Sequence, residues 1–372
     1  MKQHFLDDQN YESELITILK ENNVKSILLV CGHSIEQLDL NQLLSDLPAT
    51  LDIKITRFMD FEPNPRYEST VAGVHAFQEN DCDFIIAVGG GSALDVAKCI
   101  KLFHTMDATT NYLEQEIIPN DTKLLAIPTT AGTGSESTKY SIIYVNGEKQ
   151  TVNEQSSLPD YVLLHPVVLN SLSDYQKKAT MMDTLCHAIE SYWSVKSSVV
   201  SKKYAGIAIS SAIQNAEAYL LNLEDGNRVM LDAANIAGQA INYTQTTAAH
   251  AMCYKITTLY GASHGHAAML CLTKIWSYML NHMDLCNDPR GSEYLFTTFQ
   301  EIASFMGCDS SEQAIDKLEQ MMEDYDLKNP QIQSMDEFYK LVKSVNVDRL
   351  QNHPVKLEEV DLIRIYNKIF GL

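Results

Sequence analysis

Asp183 and His187 stand four residues apart within a helical pattern, so both side chains leave the same helix face one turn apart. Such a pair alone is more often solvated or hydrogen-bonded than bound to a metal. His250 ends an Ala-rich helical stretch, and His264 lies fourteen residues on, in Gly261-Ala262-Ser263-His264-Gly265-His266, at the start of the next helix. Three imidazoles and one carboxylate complete a ligand shell. Imidazole is a borderline donor, so the set suits Fe(II), Zn(II) or a similar divalent ion rather than Ca(II) or Mg(II).

A second group of residues suits phosphate. Phe84-Ile85-Ile86-Ala87-Val88 runs into Gly89-Gly90-Gly91-Ser92 and then a helical pattern, leaving free backbone N–H groups and a helix dipole at the turn. Ser92 is the expected N-cap. Pro128-Thr129-Thr130-Ala131-Gly132-Thr133-Gly134-Ser135-Glu136 follows another expected strand, at the edge where ligands of open α/β sheets bind. Neither loop is the G-x-G-x-x-G fingerprint nor the Walker pattern, so the residues alone stop at a nucleotide of unspecified type.

The elements that must position these residues divide the chain in two. Over 1–167, β-branched runs at Ser26 to Cys31, Ile53 to Phe58, Phe84 to Val88 and Leu124 to Ile127 alternate with helical patterns at Tyr67 to Gln78 and Ala93 to Phe103. That alternation predicts an α/β domain with a parallel sheet. Over 168–372 the patterns at Asp174 to Ser194, Ser201 to Leu223, Arg228 to Tyr243 and Ala267 to Leu280, with a tail at Gln313 to Asp326 and Met335 to Val345, predict an all-α domain. The boundary is expected near Val168.

Bulk properties narrow the function. A chain of 372 residues with a formal net charge of −20 repels nucleic acid and anionic membranes. No apolar run approaches the roughly 20 residues needed to cross a bilayer. Eight scattered cysteines with no C-x-x-C pair, and no secretory leader, point to reduced thiols in the cytoplasm.

The strings GGGSALDVAK, PTTAGTGSE, MMDTLCHAIESYW and His250 to His264 with its GASHGHA ending together resemble the iron-containing (group III) alcohol dehydrogenase family, in order over about residues 55 to 280. The resemblance implies a dinucleotide-binding domain, a helical domain and a metal site in the cleft between them, in a homo-oligomer expected to be a dimer. It places the metal ligands on Asp183, His187, His250 and His264, and the cofactor contacts on Asn64, Gly90, Gly91, Ser92, Asp95, Thr129, Thr130, Thr133 and Lys149. The implied chemistry is hydride transfer from NADPH or NADH to a small aldehyde whose oxygen the ion polarises.

Departures from the family guide the finer expectations. Gly32 stands where many members carry a carboxylate for the adenosine ribose, so NADPH is expected to be tolerated and even preferred. Tyr254 replaces a histidine and Lys255 a proline, which leaves Tyr254, His266 or water to supply the proton. Lys255 and Lys139 would favour an anionic substrate. His-Ala-Met-Cys-Tyr-Lys with Ser-His-Gly-His-Ala is similar to the phosphonoacetaldehyde reductase branch, which makes 2-hydroxyethylphosphonate. A glycerol-dehydrogenase-like activity is the nearer alternative, and a dehydroquinate-synthase-type lyase the further one. His165, where the family tends to have Asp, reads as a domain-boundary hydrogen bond.

Overall fold

A computed structural model describes residues 3–345 and 350–372. The chain forms two compact units, Met1–Thr130 with Gly134–Leu172, and Ala131–Thr133 with Ser173–Leu372.

Among the described residues the first unit has eight strands, β1 His4–Phe5, β2 Ser26–Cys31, β3 Lys54–Phe58, β4 Phe84–Gly89, β5 Lys123–Pro128, β6 Tyr140–Val145, β7 Glu148–Asn153 and β8 Tyr161–Val162. Six form a parallel sheet in the order β1-β8-β5-β4-β2-β3. β2 and β4 are buried along their whole length, which is why they read as unbroken apolar runs rather than alternating ones. β3 lies at the edge and keeps Lys54 and Arg57 exposed, which blunts pairing with another chain.

Helices α1 Tyr11–Glu21, α2 Leu40–Leu51, α3 Tyr67–Glu79 and α4 Gly91–Phe103 connect these strands. Val74 and Phe77 of α3 and Leu94, Ile100 and Phe103 of α4 pack with Leu28 and Ile85 of the sheet. The strand order reverses between β2 and β4, so the crevice where such sheets take ligands lies between Gly32, after β2, and the glycine turn after β4. β6 and β7 form a separate antiparallel hairpin. The expected N-cap at Ser92 is corrected: α4 begins at Gly91 with Gly90 as its cap, and Ser92 sits in the first turn.

The second unit is helical: α5 Asp174–Trp193, α6 Val199–Leu220, α7 Glu224–Thr244, α8 Ala248–Tyr260, α9 His264–Asn281, α10 Ser292–Phe305, α11 Ser311–Asp324, α12 Met335–Lys343 and a last helix Glu359–Phe370. α5 is its axis, buried almost continuously from Met181 to Trp193. α9 starts against it so closely that a Cβ on Gly265 would lie 2.1 Å from the Ala179 carbonyl oxygen and 2.5 Å from Asp183 Cβ.

His250 does not end a helix but lies in the first turn of α8. The apolar pattern looks continuous through this region, yet the backbone breaks at Gln245, whose φ of 61° and ψ of 175° are ordinarily reserved for glycine. Asn352 Nδ2 holds that break by donating to the Thr244 and Thr246 carbonyls at 2.5 and 3.2 Å.

Candidate metal centre

Helix α5 presents Asp183, His187 and Glu190 at i, i+4 and i+7, one buried face of a single helix. The first turn of α8 adds His250, and the first residue of α9 adds His264. The His187 and His250 rings stack at 4.4 Å with planes 17° apart. His250 Nε2 lies 3.4 Å from Asp183 Oδ1, and His187 Nδ1 4.0 Å from Asp183 Oδ2. Asp183, His187 and His250 each offer a donor atom within 4.8 Å of the others. His264 stands beside this trio, half-buried, with its ring 5.2 Å from that of His250.

The outer partners of these rings set what the inner atoms can do. Glu190 Oε2 accepts from His250 Nδ1, His187 Nδ1 lies 3.3 Å from the Gly132 carbonyl, and His264 Nδ1 lies 3.7 Å from Cys253 Sγ. With the proton of neutral His250 on Nδ1, the Nε2 lone pair points at a carboxylate. Among the described residues neither His250 Nε2 nor Asp183 Oδ1 has a hydrogen-bond partner, and both are buried. Two facing lone pairs in a dry site need a cation between them, either a proton or a metal ion.

The electrostatics agree. Burial opposes charge on His250, but Glu190 and Asp183 outweigh it and push the imidazole up to about 9. Burial would raise Asp183, yet His187, His250 and His264 hold its carboxyl well below the usual range. Burial lowers His187, with Asp183 opposing, which favours the neutral form that a metal needs. The borderline imidazoles with one hard carboxylate fit Fe(II) or Zn(II).

The two expected proton donors, Tyr254 and His266, have different partners. Tyr254 stacks on His264, ring centroids 5.2 Å apart and planes at 19°. His266 leaves α9 nearly opposite His264. Its Nδ1 is 3.1 Å from the Tyr175 hydroxyl, which also accepts from Ser263 N–H. Lys255 lines an open hollow of about 430 Å³ with Asp336, Tyr339, Lys340, Lys343 and Ser344. Lys139, in the first unit, sets its ammonium 5.8 Å from the Tyr140 ring.

In the first unit the two glycine loops leave the sheet side by side. Gly89 pairs with Pro128, Thr129 N–H donates to the Gly89 carbonyl at 3.0 Å, and a Cβ on Gly90 would meet Thr130 Cγ2 at 3.3 Å. Gly91 and Ser92 open α4, where backbone N–H groups are available to an anion. Asp95 is turned inward: Ser135 Oγ donates to its Oδ1 at 2.6 Å and Ile142 N–H to its Oδ2 at 3.0 Å. It braces the loops from within. Burial raises its carboxyl, against the pull of Lys98, Ser135, Ile142 and Lys149. Asn64 takes a left-handed backbone, φ 60°, in an exposed loop, and half-buried Lys149 pairs across the hairpin with Tyr144. Thr133 belongs to the three-residue segment that folds with the second unit. His165 contacts Asp8 through Nδ1 and packs on Tyr11.

Glu190 was absent from the sequence reading, although its i+7 spacing from Asp183 carries the signal. Asn352 and Cys253 have no local signal at all.

The family model described as iron-containing alcohol dehydrogenase matches residues 5–166, and the model of that family's C-terminal part matches 177–370. The 1-propanol dehydrogenase PduQ of Citrobacter freundii is 31% identical over 303 residues, 79% of this chain and 76% of that protein. The aldehyde-alcohol dehydrogenase of Streptococcus pneumoniae serotype 4 is 28% identical over 287 residues, 72% of this chain; the match spans about a third, 32%, of that longer protein. Among solved structures, sulfoacetaldehyde reductase of Bifidobacterium kashiwanohense, in complex with NAD+, superposes with a TM-score of 0.87 at 23% identity, covering 100% of this chain and 97% of that one. Its likeness establishes the shared fold.

Proposed function

The chain belongs to the iron-containing alcohol dehydrogenase family, and we propose that it is a metal-dependent NAD(P)H alcohol dehydrogenase working as a reductase of small aldehydes. The observation that carries this is the buried pair His250 Nε2 and Asp183 Oδ1, which face each other at 3.4 Å with no protein hydrogen bond. In this reading Asp183, His187, His250 and His264 hold one divalent ion, Fe(II) before Zn(II). When bound, the ion supplies Lewis acidity for a carbonyl oxygen and the dinucleotide supplies hydride.

The chain's own residues do the positioning. Glu190 fixes the His250 ring so that Nε2 faces Asp183, and the Gly132 carbonyl, 3.3 Å from His187 Nδ1, steadies the His187 ring. The N-terminus of α4, with Gly90, Gly91 and Ser92, takes the pyrophosphate, and Thr129, Thr130, Thr133, Asn64 and Lys149 complete the cofactor grip. Asp95 keeps both loops in register through Ser135 and Ile142.

NADPH is the proposed cofactor, with NADH as the weaker donor. Gly32 has φ −92°, open to any residue, and a Cβ there would find only Ser34 Oγ, at 4.0 Å. Neither backbone nor space demands a glycine, so what Gly32 contributes is the absence of a carboxylate that would repel a 2′-phosphate.

For substrate we propose a small anionic aldehyde, phosphonoacetaldehyde first, reduced to 2-hydroxyethylphosphonate. The support is the wording from His250 to Lys255 and from Ser263 to Ala267, with Lys139 and Lys255 as positive charges in a chain of net charge −20. The structural relative named for sulfoacetaldehyde handles another anionic aldehyde. Lys255 leaves α8 about 140° round from His250, so it acts in this reading through charge rather than by touching the reacting carbon. Rates of NADPH and NADH oxidation with phosphonoacetaldehyde and with propionaldehyde test the proposal. A preference of tenfold or more for the anionic aldehyde is expected; equal rates overturn the substrate assignment, and no net oxidation of either dinucleotide overturns the activity.

A further inference from the structure

Glu190 is fully buried, and both of its carboxyl oxygens are engaged. Its Oε1 accepts from Thr247 N–H at 2.9 Å, Thr247 Oγ1 at 2.6 Å, Ala249 N–H at 3.0 Å and His250 N–H at 3.4 Å. Those amides are donors at the start of α8 that have no partner within the helix. Its other oxygen, Oε2, accepts from His250 Nδ1. Thr247 has no side-chain cap of its own at this helix start. One carboxylate from α5 therefore caps α8 and orients the first ring that α8 delivers.

We propose that Glu190 is the positioning residue of the metal centre, acting through His250: Oε1 fixes the height and rotation of the α8 N-terminus, and Oε2 fixes the ring with its proton on Nδ1. The inference rests on the proposed metal site. Both functions need the full glutamate. A carboxylate one methylene shorter cannot span from α5 to both the amides and the ring. An amide in its place must turn its oxygen to the α8 amides, since its NH2 would otherwise face several N–H donors. The NH2 then meets His250 Nδ1, which favours the tautomer with the proton on Nε2, and a protonated Nε2 cannot hold a metal ion.

Two neighbouring features support a built device rather than a chance contact. Thr247 Oγ1 also accepts from Trp193 Nε1–H at 2.9 Å, so the cap is braced by a buried indole from the end of α5. Gln245, two residues before the cap, is held in its left-handed backbone by Asn352, which anchors to Ser194 Oγ, the donor to Asn352 Oδ1 at 2.7 Å. The segment that delivers His250 is thus pinned on both sides from the α5 C-terminus.

The test uses chelated full-length protein titrated with Co(II) against a competing chelator, with the Co(II) absorption bands, NADPH affinity and thermal melting read alongside. Glu190→Gln is expected to weaken Co(II) binding by about 10–100-fold and to alter the bands while NADPH affinity stays near wild type, and apo melting falls because the buried charge partner of His250 is lost. Glu190→Asp should fall between the two and carries the same test if the glutamine variant melts below the assay temperature. A folded Glu190→Gln protein that binds Co(II) as tightly as wild type, with the same bands, overturns the role of Glu190. Failure of the metal site itself looks different: wild type and Asp183→Asn would then bind Co(II) equally weakly, and the inference falls with its premise.

Discussion

His250 Nε2 faces Asp183 Oδ1 across 3.4 Å of buried space, with no donor between them. A proton shared by the two atoms, or a divalent ion held by both, would satisfy them. The two compete, and the competition sets the pH dependence. His250 is pushed up to about 9 by Glu190 and Asp183 against the cost of burial. In the metal-free protein its stabilising charge is therefore present in full below the unfolded value of about 6.5 and is lost as pH rises through about 9. Metal binding runs the other way, because the ion must displace that proton. Co(II) affinity should rise by up to about tenfold per pH unit between pH 7 and 9 and level off above, with proton release on binding. A flat affinity over that range would mean that His250 is not a ligand.

Gly265 is the contact point of α9 with α5. A Cβ there would lie 2.1 Å from the Ala179 carbonyl oxygen and 2.6 Å from Asp183 N, both rigid backbone atoms. Gly265→Ala should push His264 away from Asp183, destabilise the protein by about 1–3 kcal/mol and abolish stoichiometric metal binding. Unfolding in urea with metal analysis of the folded fraction checks both parts. Retention of one ion per chain would show that α9 does not deliver a ligand.

Lys98 is fully buried and donates to Ser135 Oγ, Thr138 Oγ1 and the Tyr140 carbonyl at 2.9, 3.2 and 2.9 Å. Burial lowers its ammonium to about 8, against the pull of Asp95 and Glu136. Lys98→Met would leave those acceptors, and the buried Asp95 nearby, without their cation. A loss of about 3 kcal/mol is expected, measured by denaturant unfolding, and an unchanged midpoint would remove Lys98 from the loop-bracing network. Because the folded value lies below the unfolded one, the contribution of Lys98 to stability improves as pH rises from about 8 toward 10.5.

Gly32 borders the crevice between β2 and β4, with room for a side chain. Gly32→Asp should shift the kcat/KM ratio toward NADH by about tenfold, ~1.4 kcal/mol, mostly through weaker NADPH binding. Parallel kinetics with the two dinucleotides decide it, and a variant that keeps the wild-type ratio would move the 2′-phosphate away from Gly32.

What the sequence made legible follows from how local each signal is. β2 and β4 are covered on both faces, so each reads as an unbroken apolar run. α5 reads clearly because its chemistry and its period share one face. The β6–β7 hairpin escaped the sequence reading, although its turn, Asn146-Gly147 with φ of 51° and 80°, is a strong local hairpin signal. The break at Gln245 was illegible for another reason: Asn352, which holds it, lies more than a hundred residues away. That long-range hydrogen bond turns His250 from the apparent end of one helix into the first turn of the next. The bracing contacts of Asp95 were hidden likewise, since the family resemblance marks it only as a cofactor contact while its protein partners, Ser135 and Ile142, appear only on folding.

The central claim is that Asp183, His187, His250 and His264 bind one divalent ion on which aldehyde reduction depends. The most direct measurement is the rate of NADPH oxidation by chelated protein as Fe(II) is returned in fractions of an equivalent, for wild type and for His250→Ala. The account predicts almost no rate without metal, a linear return that saturates at one ion per chain in wild type, and no return in the variant. Full turnover by the chelated wild type, or a metal-restored rate in His250→Ala equal to wild type, would contradict it.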